Sequence, residues 1–294
     1  MSDRNPVGLI GVGLLGQALA QRLLGAGYEV VGLDVDPAKN EKLTELGGQV
    51  APSVSDLAKR CDPIVLAVFS TDQVEEVIEQ ELLPVLGDGS GRIVLCASTC
   101  DPDRIAVLGE RVTARGLRFL ETPVSGSSGQ VARGEGVGLI GGDPKLASEV
   151  EPMLRVLFPT YFHIGKYGDG GRAKLAVNLI LGLNRVALAE GLVFARRLGL
   201  DAQAFLNVAR KSAAYSQVMD VKGPKMVHGD FVPEGRVTQH LKDVHLMLEQ
   251  AERVKQRLPL LEVHADVLEA CVRAGEGDLD NSIVIHEIGR RTQP

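Results

Sequence analysis

Val7-Gly8-Leu9-Ile10 runs directly into Gly11-Val12-Gly13-Leu14-Leu15-Gly16. The first four residues form a short apolar run closed by a glycine turn, the pattern of a strand buried on both faces. From Leu15 to Leu24 apolar residues recur at helical spacing. A strand, a glycine turn and a helix in this order suit a bound diphosphate, and each glycine has its own task. Gly11 permits the tight turn, Gly13 lets a pyrophosphate approach the backbone, and Gly16 lets helix and strand pack closely. The helix start supplies free N–H groups and the positive end of the dipole. Gly11, Val12, Gly13, Leu14, Leu15 and Gly16 are therefore candidate dinucleotide contacts.

Reading outward, Glu29–Leu33 is a second strand-like run that ends at Asp34, 18 residues past Gly16. An acid at about 20 residues is placed to accept hydrogen bonds from an adenosine ribose and to repel a 2′-phosphate. Val35 and Asp36 follow, with no Arg to hold that phosphate. The expected cofactor is NAD in preference to NADP.

Ile64–Val68, Ile93–Ala97, Leu117–Leu120 and Val137–Ile140 read as further buried strands. Helical patterns at Leu15–Leu24, Asp56–Lys59 and Gln73–Leu82 alternate with the early ones. This alternation implies an α/β fold with a Rossmann-type, doubly wound parallel sheet. After about residue 165 the character changes. One long apolar-periodic helix runs from Ala173 to Leu198, and Ala202–Arg210, Val237–Arg253 and Leu260–Ala274 also read as helices. The expected organisation is a dinucleotide domain over 1–165, a long helix over 166–195, and an all-helical domain over 196–294 for substrate and oligomer contacts.

The chain has 294 residues, 45% hydrophobic and 24% charged, with net charge −6. Such a length can bury a sizeable core unaided. The acidic balance argues against a polyanion-binding surface, so no nucleic-acid partner is expected. No unbroken apolar run approaches the ~18 residues of a membrane span, and no membrane partner is expected. Cys61, Cys96, Cys100 and Cys271 form no CxxC pair and are expected to be reduced thiols in a cytoplasmic protein. The six histidines show neither HxH nor HExxH spacing, so no metal site is expected. His240 and His245 lie near Lys242 in sequence and either line the cleft or sit on the helix surface, with the surface place favoured.

Two stretches carry candidate chemistry. In Glu121-Thr122-Pro123-Val124-Ser125-Gly126-Ser127 a strand enters a Gly/Ser loop, whose hydroxyls and free N–H groups suit a carboxylate. In Gly168-Asp169-Gly170-Gly171-Arg172-Ala173-Lys174-Leu175-Ala176-Val177-Asn178 glycines precede a helix on which Lys174 and Asn178 share a face. A lysine on a mostly apolar helix is either a snorkelling cation or a desolvated amine able to exchange a proton near neutral pH.

Together these motifs resemble the beta-hydroxyacid dehydrogenase family over essentially the whole chain. Its glycine-rich loop is similar to Gly11–Gly16, and its DAPVSGG loop to Glu121–Ser127. Its GxGxxxKxxNN helix resembles Gly168–Leu179, its Lys-Asp pair Lys242-Asp243, and its GxGDxDxSA ending Gly277–Ser282. The resemblance implies hydride transfer between a nicotinamide and a small 3-hydroxy acid or the corresponding semialdehyde. Lys174 would be the general acid/base and Asn178 its partner. Ser125, Gly126 and Ser127 would hold the carboxylate, with Lys242 closing over cofactor and substrate. Val68, Phe69, Ser70 and Thr99 would border the cofactor. It also implies a homodimer or homotetramer. This chain departs from the pattern at Ser127, at Val177, and at Gly235-Arg236, where relatives often carry Phe. Loss of that Phe is expected to enlarge the pocket, and Arg236 either meets an anionic or polyhydroxylated substrate tail or faces solvent at a helix start. The alternatives are an imine reductase-like enzyme and a non-catalytic NAD-binding oligomerisation module.

Overall fold

A computed structural model describes residues 5–292. The chain divides into two compact units, Met1–Lys174 and Leu175–Pro294.

The first unit is built on a sheet of nine strands. They are β1 (Val7–Ile10), β2 (Val30–Leu33), β3 (Gln49–Val50), β4 (Ile64–Leu66), β5 (Ile93–Cys96), β6 (Arg118–Glu121), β7 (Val124–Ser125), β8 (Val137–Gly142) and β9 (Thr160–Gly165). Their order is β3-β2-β1-β4-β5-β6-β8-β7, with β9 also paired to β8. From β3 to β6 every pairing is parallel, and Gly8 lies opposite both Val31 and Ile64. Beyond β6 the otherwise parallel sheet becomes mixed. β6 and β7 form one interrupted strand, and β8 runs antiparallel to both, with Leu120 opposite Gly142 and Val124 opposite Gly138. Only the short helix Ser128–Ala132 and its loops join β7 to β8, too little chain for the crossover that a parallel neighbour needs. β9, parallel to β8, is absent from the sequence reading.

Side chains alternate across this sheet. Val7, Leu9, Val65 and Leu95 pack on one face with Leu19, Leu23 and Phe158. Ile10, Val31, Ile64, Leu66 and Val94 pack on the other with Leu57, Ile78 and Phe119. Burial on both faces is why these strands read as unbroken apolar runs. The helices that follow start at Asp36, Ser53, Ser70, Asp101 and Asp143, whose side-chain oxygens accept first-turn N–H groups.

The helix Asp169–Arg197 begins in the first unit and continues into the second. It starts earlier than Ala173, because Gly170 and Gly171 are poor helix formers on their own and hide the first turn from a sequence reading. By length and composition alone it is apolar enough to cross a membrane, with an 18-residue stretch of mean hydropathy 1.5. Its Leu175, Val186, Leu188, Ala189 and Leu192 join the core of the second unit with Leu206, Met226, Val244, Leu268 and Ile285. That unit consists of helices, among them Val237–Arg253 and Pro259–Arg273. All four cysteines are buried free thiols.

Candidate active site

The phosphate loop has the geometry expected of its glycines. Gly11 adopts φ +93°, and a Cβ there would meet the Ala67 carbonyl carbon at 2.7 Å. A Cβ on Gly16 would collide with the Gly11 carbonyl oxygen. A Cβ on Gly13 would meet no heavy atom of the chain within 4 Å, so the chain's own packing does not require a glycine there. Gly13 is also the N-cap of the helix Leu14–Gly25 and offers it no side-chain acceptor. Six other helix starts in the same unit carry a side-chain cap, and this one does not. Its orphan N–H groups and dipole remain available to an anion, and the residues present fit a dinucleotide diphosphate.

Asp34 stands at the end of β2. Its Oδ2 accepts from Val12 N–H at 2.7 Å and its Oδ1 from Asp36 N–H at 3.0 Å. Acid and phosphate loop are thereby tied together. Lys39 Nζ lies 3.3 Å from Asp34 Oδ1. The two residues after Asp34 offer no cation, and Lys39 is brought back to it by the helix Pro37–Glu45.

The loops after β4 and β5 are joined by Ser98 Oγ, which donates to the Val68 carbonyl at 2.8 Å. Thr99 is partly exposed and Phe69 exposed. Ser70 caps the helix Thr71–Glu76 in a reciprocal bond pair with Gln73. The structure therefore gathers Gly11–Gly16, Asp34, Val68–Ser70 and Thr99 at the carboxyl ends of β1, β2, β4 and β5, where an open α/β sheet binds its ligand. The loop after β6 adds Ser125, Gly126 at φ +137°, and Ser127. Ser127 Oγ caps the helix Ser128–Ala132 by accepting from Gln130 N–H, so its hydroxyl already has a structural task.

On the long helix Lys174 is 7% exposed and Asn178 5%. Arg172, Ala176 and Val177 between and beside them are exposed, which confirms one buried face at i, i+4 spacing. Asn178 Nδ2 donates to Asp243 Oδ2 at 3.1 Å. Lys242 Nζ lies 3.0 Å from Asp243 Oδ1, an ion pair without the alignment of a hydrogen bond. Asp243 thus contacts both Asn178 and Lys242, a link that the sequence does not announce. Its adjacency to Lys242 was the only available signal.

Arg236 precedes the helix Val237–Arg253, is about half exposed (46%), and faces Asp278 Oδ1 at 3.8 Å. The space beside Gly235 is not open. A Cβ there would meet Asn281 Nδ2 at 3.2 Å, so the expected enlargement is taken up in that direction by Asn281. His240 is not on the helix surface as read. It is buried, with its Nε2 2.9 Å from His264 Nε2. Gly182 makes this possible, since a Cβ there would meet the two Nε2 atoms at 2.7 and 2.9 Å. Among the described residues no group of three or more His, Cys, Asp or Glu could hold a metal.

Two family models cover the chain. The NAD-binding domain of 6-phosphogluconate dehydrogenase matches residues 6–165, and the NAD-binding domain of NADP-dependent 3-hydroxyisobutyrate dehydrogenase matches 168–288. The chain is 30% identical to an L-threonate dehydrogenase of Cupriavidus necator, over 95% of this chain and 94% of that protein. It is 28% identical to a 2-hydroxy-3-oxopropionate reductase of Escherichia coli, over 96% of each. The crystal structure of a 3-hydroxyisobutyrate dehydrogenase from Salmonella typhimurium superposes with a TM-score of 0.86 at 27% identity, over 96% of this chain and 99% of that one. Fold and phosphate loop define a nicotinamide-dependent oxidoreductase. The chain belongs to the beta-hydroxyacid dehydrogenase family, whose members act on small hydroxy acids and semialdehydes.

Proposed function

We propose that this enzyme oxidises a small 3-hydroxy acid reversibly with NAD, and that Lys174 is the residue that moves the proton. The observation that carries this reading is a buried lysine sharing the inner face of one helix with a buried asparagine. When bound, the nicotinamide accepts or supplies the hydride. During reduction the Lys174 ammonium donates its proton to the carbonyl oxygen as negative charge develops there. During oxidation the neutral amine takes the hydroxyl proton. Asn178 keeps its carboxamide oriented through Asp243, and Lys242 occupies the other carboxylate oxygen, so that Oδ2 faces Asn178. Ser125 and the Gly126 N–H group bind the substrate carboxylate.

The choice of NAD over NADP rests on Asp34, whose carboxylate stands beside the phosphate loop. Lys39 partly neutralises that charge, so the preference is expected to be finite. The exposed apolar stripe Val177, Ile180, Ala187 and Phe194 on the long helix supports assembly of identical chains, which light scattering would read.

The decisive experiment measures NAD and NADP reduction against a panel of 3-hydroxy acids, for wild type and for Lys174→Ala. The reading requires at least one acid that is turned over by wild type and not by the variant. Undiminished turnover by Lys174→Ala would refute it. Imine reduction without alcohol oxidation would favour the imine reductase-like alternative.

A further inference from the structure

The helix that carries Lys174 is fastened at its first turn by a carboxylate from the sheet. Glu121, the last residue of β6, is 2% exposed. Its Oε1 accepts from Gly168 N–H, and its Oε2 accepts from Gly171 N–H at 3.0 Å. Asp169 is the first helical residue, so these N–H groups belong to the set that a helix cannot satisfy internally. A negative charge there also meets the favourable end of the helix dipole.

The glycines around this contact serve it. A Cβ on Gly141 of β8 would lie 2.7 Å from Glu121 Oε1, and one on Gly171 would lie 3.3 Å from Oε2. A Cβ on Gly170 would strike the Leu139 carbonyl oxygen at 2.6 Å. Gly168, at φ +90°, would meet the Pro102 carbonyl oxygen at 2.6 Å. Strands and helix therefore approach backbone to backbone, and the carboxylate spans the remaining distance. Lys174 follows Gly171 by less than one helical turn, about 4.5 Å along the axis. Any slip or rotation of the first turn is passed on to its amine.

We infer that Glu121 is a positioning residue, whose carboxylate holds Gly168 and Gly171 by their N–H groups and so sets the placement of Lys174 for proton transfer. The inference rests on the proposed role of Lys174. Burial pushes the Glu121 carboxyl up to about 7, against the lowering effect of its two N–H bonds and of Arg172, while Asp169 raises it further. The other groups facing it are Tyr167 before the helix and Cys96 on β5, both pushed up by their surroundings and so neutral at pH 7. Arg172 is held protonated, principally by Asp103 at 2.7 Å, and also pairs with Asp169 at 2.8 Å. As pH falls through about 7, Glu121 takes up a proton, one oxygen becomes a hydroxyl, and the paired acceptance weakens. Turnover is expected to fall on that limb.

The test compares wild type, Glu121→Gln, Glu121→Asp, Gly171→Ala and Lys174→Ala, with kcat and KM measured from about pH 5.5 to about pH 9. Gln keeps the shape but can accept on one side only. Its kcat at high pH is expected to drop about 10- to 100-fold, an effect on the transition state alone. KM and NAD affinity should stay within about two-fold, and the limb near pH 7 should vanish. Asp should restore part of kcat and keep a limb. Gly171→Ala leaves the carboxylate in place and crowds it, so it serves if Glu121→Gln does not fold. It should lower kcat and move the limb to higher pH. Wild-type kcat and an unchanged limb in Glu121→Gln and in Gly171→Ala would overturn the inference, as would losses that follow thermal stability or NAD affinity rather than kcat. An active Lys174→Ala would sink the reading of the lysine itself. An inactive Lys174→Ala beside a wild-type-like Glu121→Gln would sink only the positioning role.

Discussion

The bond between Asn178 and Asp243 lends itself to a double-mutant cycle. Both side chains are buried, at 5% and 6% exposure, and Nδ2 lies 3.1 Å from Oδ2. A hydrogen bond to a charged acceptor in such a place contributes about 1.5–3 kcal/mol. Asn178→Ala removes the donor. Asp243→Asn leaves one amide oxygen to serve both Asn178 and Lys242, which now sit on separate oxygens. If the bond exists to orient Asn178, each single change forfeits most of it in the transition state. At about 1.4 kcal/mol per factor of ten, kcat/KM should fall roughly 10- to 150-fold in either variant. The double variant should then be no worse than the poorer single one, with a coupling energy as large as the smaller single loss, about 1.5–3 kcal/mol. The measurement is initial-rate NAD reduction for all four proteins on one hydroxy acid, with NAD affinity followed by calorimetry because the chain contains no tryptophan. Losses that simply add, with coupling under about 0.5 kcal/mol, would show that the two residues act separately and that the orienting role is mistaken.

Other outcomes follow from local geometry. Gly182→Ala should push the two histidine rings apart, since its Cβ falls 2.7 Å from His240 Nε2. The expected cost is about 1–3 kcal/mol in urea unfolding. Gly13→Ala, with open space around its Cβ, should change stability by under about 1 kcal/mol and still weaken dinucleotide binding in calorimetry. Burial, assisted by Arg185, lowers the His264 pKa to about 3. Its neutral form therefore supplies stability that is complete above the unfolded value of about 6.5 and is lost as pH falls from there toward 3. His264→Leu should flatten urea stability over that interval, and an unchanged slope would contradict the assignment. Arg185 is buried, and its Nε and Nη1 have no hydrogen-bond partner. Burial outweighs the attraction of Asp280 for this guanidinium, so Arg185→Met should leave Tm unchanged or raise it, because replacing an incompletely paired buried charge by an apolar chain of similar length is often stabilising. A lower Tm would mean that the guanidinium contributes favourably.

What could be read from the sequence was local. Val7–Ile10 shows its burial on both faces as an unbroken apolar run, and the spacing of Gly11, Gly13 and Gly16 carries its own geometry. Lys174 and Asn178 need only the 3.6-residue repeat to fall on one face. What escaped depends on distant partners. Thr160–Gly165 lies at the sheet edge with no residue fully buried, so β9 has neither an apolar run nor a clean alternation to betray it. Asp243 gains its meaning from a residue 65 positions earlier, and nothing nearby marks it as buried. His240 reads as a surface residue until Gly182 and His264 are seen to make room for it. The antiparallel return of β8 depends on a connection too short for a crossover, which a strand-by-strand reading does not weigh.

The contact between Gly11 and Ala67 has a consequence for folding. The phosphate loop is contiguous in sequence, yet its turn rests against the end of β4, a strand separated from β1 in the chain by β2, β3 and three helices. Closing such a long loop is a late event for a folding chain. A fragment that ends before β4 would contain every glycine of the motif without the surface that shapes it. Recovery of dinucleotide binding during refolding should accordingly lag behind recovery of helical signal and report the moment β4 docks on β1. The loop therefore serves as a clock for long-range pairing in the first unit.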